Sequence, residues 1–263
     1  GNWPKIRKGI ESAAGAVLGS LPEERVEAQM KMVDEMHFRG YTRQRISYFV
    51  SDWERIAAWL FIPEDAEDAP AVICCHDAVP QGKDEAAGLE GHPLLGFAQH
   101  FAELGYVTLA TDCIATGDRV SRGRAPFDTR ASIKDYPDMS PLLKMVSDHM
   151  FAVDVLSELK SVDASRVGVV GHGLGGCNAL LLSAYDERVQ ACVASCAFTR
   201  FEDDEDVDTR WACETEYNLL PNFAKVMKAK KTYPFDWEHI LALIAPSPSL
   251  RITKSRRTRT VTW

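Results

Sequence analysis

The chain has 263 residues, 46% of them apolar and 26% charged, with 38 acidic against 30 basic side chains and a net charge of −8. This composition supports a full hydrophobic core and, with 17 Gly and 13 Pro, excludes collagen-like and low-complexity classes. The acidic balance argues against a bulk nucleic-acid binder. No apolar run approaches the roughly 18 residues of a membrane span, and no signal-peptide pattern opens the sequence, so no membrane partner is expected and a cytoplasmic location is the default. The seven cysteines, at 74, 75, 113, 177, 192, 196 and 213, lie mostly in apolar runs and read as small buried hydrophobes rather than as a disulfide framework or metal site.

Residues 4–18 have helical periodicity, with Ile6, Ile10, Ala13, Ala14, Val17 and Leu18 on one stripe. Residues 44–50 and 55–62 alternate as strands around the turn Ser51-Asp52-Trp53-Glu54, which predicts an antiparallel hairpin. From Ala71–Cys75 onward the strands become continuously apolar, as they do when buried on both faces of a parallel sheet. A helix over 94–104, a strand over 106–111, a long helix over 140–160, a strand over 166–170, a helix over 175–186 and a strand over 189–196 follow. The alternation implies βαβ units and a mainly parallel sheet with helices on both faces. After Cys196 the pattern becomes irregular. It holds the acidic run 202–206, read as a solvated loop, a partly helical stretch over 211–233, a helix over 236–244 and a strand over 249–253. The last ten residues are basic and aperiodic.

The densest signal is Val167-Gly168-Val169-Val170-Gly171-His172-Gly173-Leu174-Gly175-Gly176-Cys177-Asn178. It predicts a strand, a very tight turn and a helix. Gly171, Gly173 and Gly175 fit the frame G-x-S-x-G of a nucleophile elbow, with Gly173 where the Ser belongs. Gly171, Gly173 and Gly176 also satisfy G-x-G-x-x-G, the dinucleotide fingerprint, which needs an acid about 20 residues on. The following strand ends Ala194-Ser195-Cys196-Ala197 without one, and several buried strands precede the motif. A dinucleotide-binding oxidoreductase is therefore the lesser reading, and no cofactor or metal is expected.

The order of elements resembles the α/β-hydrolase fold. Within it the chain is similar to dienelactone hydrolase and acetyl-xylan-esterase-like carboxylic-ester hydrolases. The likeness is carried by residues 76–85, by Gly105–Asp112 with Gly117-Asp118-Arg119, by Gly171–Asn178, and by Pro234-Phe235-Asp236-Trp237 with Ala245-Pro246, over roughly residues 40–250. The resemblance implies an N-terminal helical segment over 1–40, a hydrolase domain over 41–253 with a cap or insertion at 200–236, and a basic tail at 254–263. It also implies a Ser–His–acid site with two backbone oxyanion donors. Those donors map to the N–H of Leu174 and, in the loop His76-Asp77-Ala78, the N–H of Ala78. The family's acid and His should follow Ala245-Pro246-Ser247-Pro248, but no Asp, Glu or His follows His239. The C-terminal end thus reads as shortened, by truncation or a frame change near 247, with a divergent terminus as the alternative.

The expectation is an esterase-lineage protein, impaired or inactive at Gly173, or a small-molecule-binding or scaffold protein on the same fold. Its partner would be an ester or ester-like ligand, and a homo-oligomer is compatible with the fold. His76 is expected to order its loop, His172 to pack beneath the elbow, and Cys177 to face the helix–sheet interface. Ser195 is read as pocket-lining without a base, and Asp203 or Asp206 as a replacement acid. Trp211, Tyr217, Phe223 and Trp237 are candidates for a pocket cover or for core, and Lys225–Lys231 for a solvated helix face.

Overall fold

A computed structural model describes residues 2–207, 211, 216–230, 233–245 and 250–253. Its centre is an eight-stranded mixed sheet. The strands are β1 (Lys31–Phe38), β2 (Tyr41–Phe49), β3 (Arg55–Pro63), β4 (Ala69–Cys75), β5 (Val107–Thr111), β6 (Val162–His172), β7 (Val189–Ser195) and β8 (Leu250–Thr253), in the spatial order β1-β2-β3-β5-β4-β6-β7-β8. The β1–β2, β2–β3 and β3–β5 pairs are antiparallel and the remaining pairs are parallel. This is the α/β-hydrolase fold.

The apolar runs become the centre of the sheet for the reason their sequence suggests. β5 is buried along its whole length, and β4 carries Cys74 into the core on one face and Cys75 into the core on the other. Successive side chains on a strand face opposite ways, so adjacent buried cysteines require both faces to be covered. Five of the described cysteines are buried, whereas Cys196, contrary to expectation, is exposed. It follows the last residue of β7 at φ +51° and turns off the sheet.

The helices are α1 (Trp3–Leu18), α2 (Lys83–Ala86), α3 (Phe97–Glu103), α4 (Arg130–Asp135), α5 (Pro141–Glu158), α6 (Leu174–Tyr185), α7 (Phe223–Lys230) and α8 (Trp237–Ile244). Helix α1 buries Ile10, Ala14, Val17 and Leu18 and stops at Gly19, φ +92°, but Ile6 is half exposed. Helix α5 starts at Ser140, whose hydroxyl accepts from the Leu143 N–H at 3.1 Å, with Pro141 at the first helical position. Helix α3 is shorter than the predicted 94–104 because Gly96 separates it from a 3₁₀ turn at Pro93–Leu95. The expected N-terminal helical segment over 1–40 is helical only in its first half; residues 31–38 form β1, the edge strand of the main sheet. β6 begins at Val162 rather than 166, its polar start pairing with β4 through a register irregularity.

Ala245 is the last described residue before 250, so residues 246–249 and the basic tail 254–263 lie outside the described residues. Among the described residues, no helix is long and apolar enough to cross a membrane.

Candidate active site

β6 ends at His172 and α6 begins at Leu174, which leaves a single residue, Gly173, to turn the chain. It adopts φ +56°, ψ −120°, a conformation that costs other residues roughly 1–3 kcal/mol. The neighbouring glycines allow the close approach. A Cβ at Gly175 would overlap the Cys75 carbonyl oxygen and lie 2.6 Å from that of His76, and one at Gly171 would overlap the Gly175 carbonyl. Glycine at 171 and 175 therefore lets the first turn of α6 sit directly against the end of β4. The Gly173 N–H donates to the Ser195 carbonyl at 3.0 Å, which ties the turn to β7.

This packing brings the loop after β4 to the N-terminus of α6. The N–H groups of Ala78 and Leu174, 96 positions apart in the chain, converge on one acceptor. Both donate to Asp77 Oδ1, at 2.7 Å and 2.9 Å. Two amides aimed at one point, one of them at a helix N-terminus, favour negative charge there. The loop is fixed from behind. The Asp77 N–H donates to Glu85 Oε2 at 3.2 Å, and burial, aided by the negative charge of Asp77, raises the Glu85 carboxyl above its usual range.

His76 is buried, and both ring nitrogens are engaged: Nδ1 lies 2.5 Å from the Asp77 carbonyl, and Nε2 accepts from the Cys113 N–H at 2.9 Å. This fixes the neutral tautomer with the proton on Nδ1. Burial holds its pKa below the ordinary imidazole value, although Asp112 opposes the shift. The ring thus joins the loop after β4 to the loop after β5.

A buried ion cluster supports the same two loops. Lys83 Nζ contacts Asp112 at 2.8 Å and Asp118 at 2.9 Å, and Asp112 also accepts from the backbone N–H groups of Lys83 and Asp118. A second cluster lies at the edge of a cavity of about 150 Å³ lined by Trp53, Glu54, Ala115, Arg119, Ser132 and Tyr136. There Arg119 joins Glu54 at 2.8 Å and Asp148 at 2.7 Å, and Lys144 contacts both acids. Burial alone would raise the Glu54 carboxyl, but Arg119 and Lys144 bring it down to about 2.

The other candidates are placed as follows. His172 does not pack without a polar partner beneath the elbow. The parallel register sets it opposite Ser195, with Nδ1 3.1 Å from Ser195 Oγ. Ser195, which sequence reasoning left without a base, therefore has an imidazole beside it. Cys177 is buried, and its thiol donates to the Ala197 carbonyl at 2.6 Å. Asp203 and Asp206 are exposed, whereas Asp204 is buried. Trp211, Phe223 and Trp237 pack with Phe201 in one buried aromatic cluster, so they are core; Tyr217 instead meets Phe127 edge to face. Lys225 is exposed, and Lys231 lies outside the described residues. His239 closes a capping box with Asp236, accepting the Asp236 N–H at 2.9 Å. Among the described residues, no group of three or more His, Cys, Asp or Glu could hold a metal ion.

Two curated relatives resemble this chain in sequence and two solved structures resemble it in fold. The candidate hydrolase YtaP of Bacillus subtilis (strain 168) is 26% identical over 253 residues, which span 90% of this chain and 76% of that protein. Quorum-quenching protein AidA of Acinetobacter baumannii is 24% identical over 57% of this chain, and this chain spans only 43% of AidA. Among solved structures, a candidate acetyl xylan esterase of Bacteroides fragilis superposes with a TM-score of 0.75 at 18% identity, covering 95% of this chain and 67% of that one. A glucuronoyl esterase of Teredinibacter turnerae superposes with a TM-score of 0.69 at 20% identity over the same shares. Residues 56–208, more than half of the sequence, match the profile of the dienelactone hydrolase family, and the chain belongs to that family.

Proposed function

We propose that this chain is an esterase-lineage α/β-hydrolase that binds an ester or ester-like small molecule without ordinary hydrolytic turnover. The observation that carries the reading is Gly173, which stands alone between β6 and α6 at φ +56°, where a hydrolase of this fold presents its nucleophile. In an acyl transfer the Ala78 and Leu174 amides would hold the developing oxyanion. Backbone donors persist whatever the side chains become, so this pair of amides outlives the loss of the hydroxyl.

The histidines support the same reading. His76 is neutral and doubly engaged, His172 faces Ser195, His239 is a helix cap, and His149 is buried with its pKa pushed down to about 3, chiefly by desolvation. His37, His92 and His100, which complete the seven, lie on the edge strand, in the 3₁₀ cap and on α3. General-base assistance is worth about 10²–10⁴-fold, and it has no evident source beside Gly173.

The test is turnover of p-nitrophenyl acetate and butyrate, together with an acetylated xylo-oligosaccharide and a methyl glucuronate ester, since neighbouring structures are named for such substrates. Rates indistinguishable from a control protein are expected. Turnover on the order of 10 per second, blocked by a serine-reactive phosphonate, would overturn the reading.

A further inference from the structure

Asp77 Oδ1 is the acceptor of both converging amides, at 2.7 Å and 2.9 Å. A Cβ at Gly173 would overlap that oxygen, and would lie 2.5 Å from Asp77 Cγ and 2.6 Å from Oδ2. The carboxylate thus fills two positions together: the point where the amides meet, and the volume that a side chain at 173 would need. We propose that Asp77 is an internal occupant of the amide pair, a tethered carboxylate that competes with the carbonyl and carboxylate oxygens of outside ligands for these two donors. The inference rests on the reading of Ala78 and Leu174 as oxyanion donors given above.

The geometry around Asp77 explains why it seats there. Its own backbone is clipped to Glu85 through the Asp77 N–H, and its carbonyl to His76 Nδ1. The side chain therefore leaves a fixed point with little choice of direction. The donors are equally fixed, because glycines at 171 and 175 press α6 onto β4. A tethered group of this kind competes at an effective concentration in the millimolar range or above, so a free monocarboxylate is displaced unless present at high concentration. The glycine and the aspartate form a matched pair: the carboxylate fits only because residue 173 has no side chain.

The experiment uses ¹⁵N TROSY spectra of the whole chain, with sodium acetate as the probe and sodium chloride at equal ionic strength as the control. In the unmodified protein the Ala78 and Leu174 amide protons should lie downfield and ignore acetate. In Asp77→Ala they should move upfield, and acetate should return them downfield saturably, with an affinity at least about tenfold tighter than for the unmodified chain. Asp77→Asn is the second variant, should Asp77→Ala fail to fold. Its neutral amide keeps the shape but is a weaker acceptor, so both protons should shift upfield without a global change in the spectrum. Unmoved Ala78 and Leu174 signals in the variants would overturn the proposal, and so would equal acetate responses in all proteins. Ester turnover by the unmodified chain would defeat the functional reading while leaving this measurement intact, so the two failures are distinguishable.

Discussion

The Asp77 carboxylate and the α-carbon of Gly173 share one small volume: any Cβ at 173 would overlap Asp77 Oδ1. Two residues 96 positions apart are thereby coupled, because β4 and β6 are paired neighbours and their C-terminal loops open on the same edge of the sheet. The amino acid allowed at either position depends on the other.

Gly173→Ser should therefore destabilise the protein by more than the strained turn alone requires. The left-handed backbone accounts for about 1–3 kcal/mol, and displacement of Asp77 from its two amides adds the loss of two charge-assisted hydrogen bonds. Asp77→Gly removes the obstruction, so the double variant should be more stable than the sum of the single changes. Melting temperatures of the four proteins measure the coupling, which for residues in direct contact is typically 0.5–3 kcal/mol in size. Additive shifts would show that Asp77 leaves its seat at no cost.

Gly173→Ser should also fail to produce an ordinary esterase, even combined with Asp77→Gly. The new hydroxyl would face the Leu174 amide, but none of the seven histidines is placed beside it to take its proton. Steady-state turnover of p-nitrophenyl acetate should stay at least about 10²-fold below typical enzyme rates. A full rate in either variant would show that one of the seven histidines reaches the new hydroxyl, and would overturn this account.

The centre of the fold was legible in the sequence because burial on both faces leaves an unbroken apolar run, as in Ala71–Cys75, and because Gly171, Gly173 and Gly175 fit the frame of a turn too tight for side chains. β1 was not legible. Its residues are exposed along nearly the whole strand, with Met32, Val33 and Met36 at the surface, so neither alternation nor an apolar run marks it. The partnership of His172 with Ser195 depends on the register between β6 and β7, which no local pattern encodes. Asp77 was visible as part of a loop motif, but its seat on two amides arises from tertiary packing. The single signal available was the conjunction of an acidic residue in the oxyanion loop with a missing nucleophile.

Lys83→Met should loosen the site from beneath. Its ammonium is almost fully buried between Asp112, which is fully buried, and Asp118. Asp112 raises the Lys83 pKa despite the burial that opposes it. Removing one partner of a buried ion pair leaves the other charge uncompensated, at a cost of about 3–5 kcal/mol. Urea unfolding should show a lower midpoint with an unchanged slope. Asp112→Asn combined with Lys83→Met should recover part of the loss, whereas a surface change such as Lys225→Met should have no measurable effect.

Glu54 gives the protein an acid-sensitive component with a defined sign. Arg119 and Lys144 hold its folded pKa at about 2 against burial, below the ordinary value of 4.5. A depressed carboxylate pKa means that the unfolded chain binds the proton more readily than the folded one. The stabilisation is therefore complete above the unfolded value and is lost as pH falls through the folded value, between about 4.5 and 2. The shift corresponds to an upper bound of about 3–4 kcal/mol, which the partial exposure of the side chain reduces. Glu54→Gln should lower stability at pH 7 and flatten the stability profile across that acid window. Tyr136, whose hydroxyl donates to Glu54 at 2.6 Å, provides an internal check: Tyr136→Phe should cost less at pH 7 and keep most of the acid dependence, because both cations remain in place. Denaturant titrations of the three proteins at pH 7 and at several points below 4.5 measure this directly. A Glu54→Gln profile parallel to that of the unmodified chain would show that other carboxylates carry the acid response.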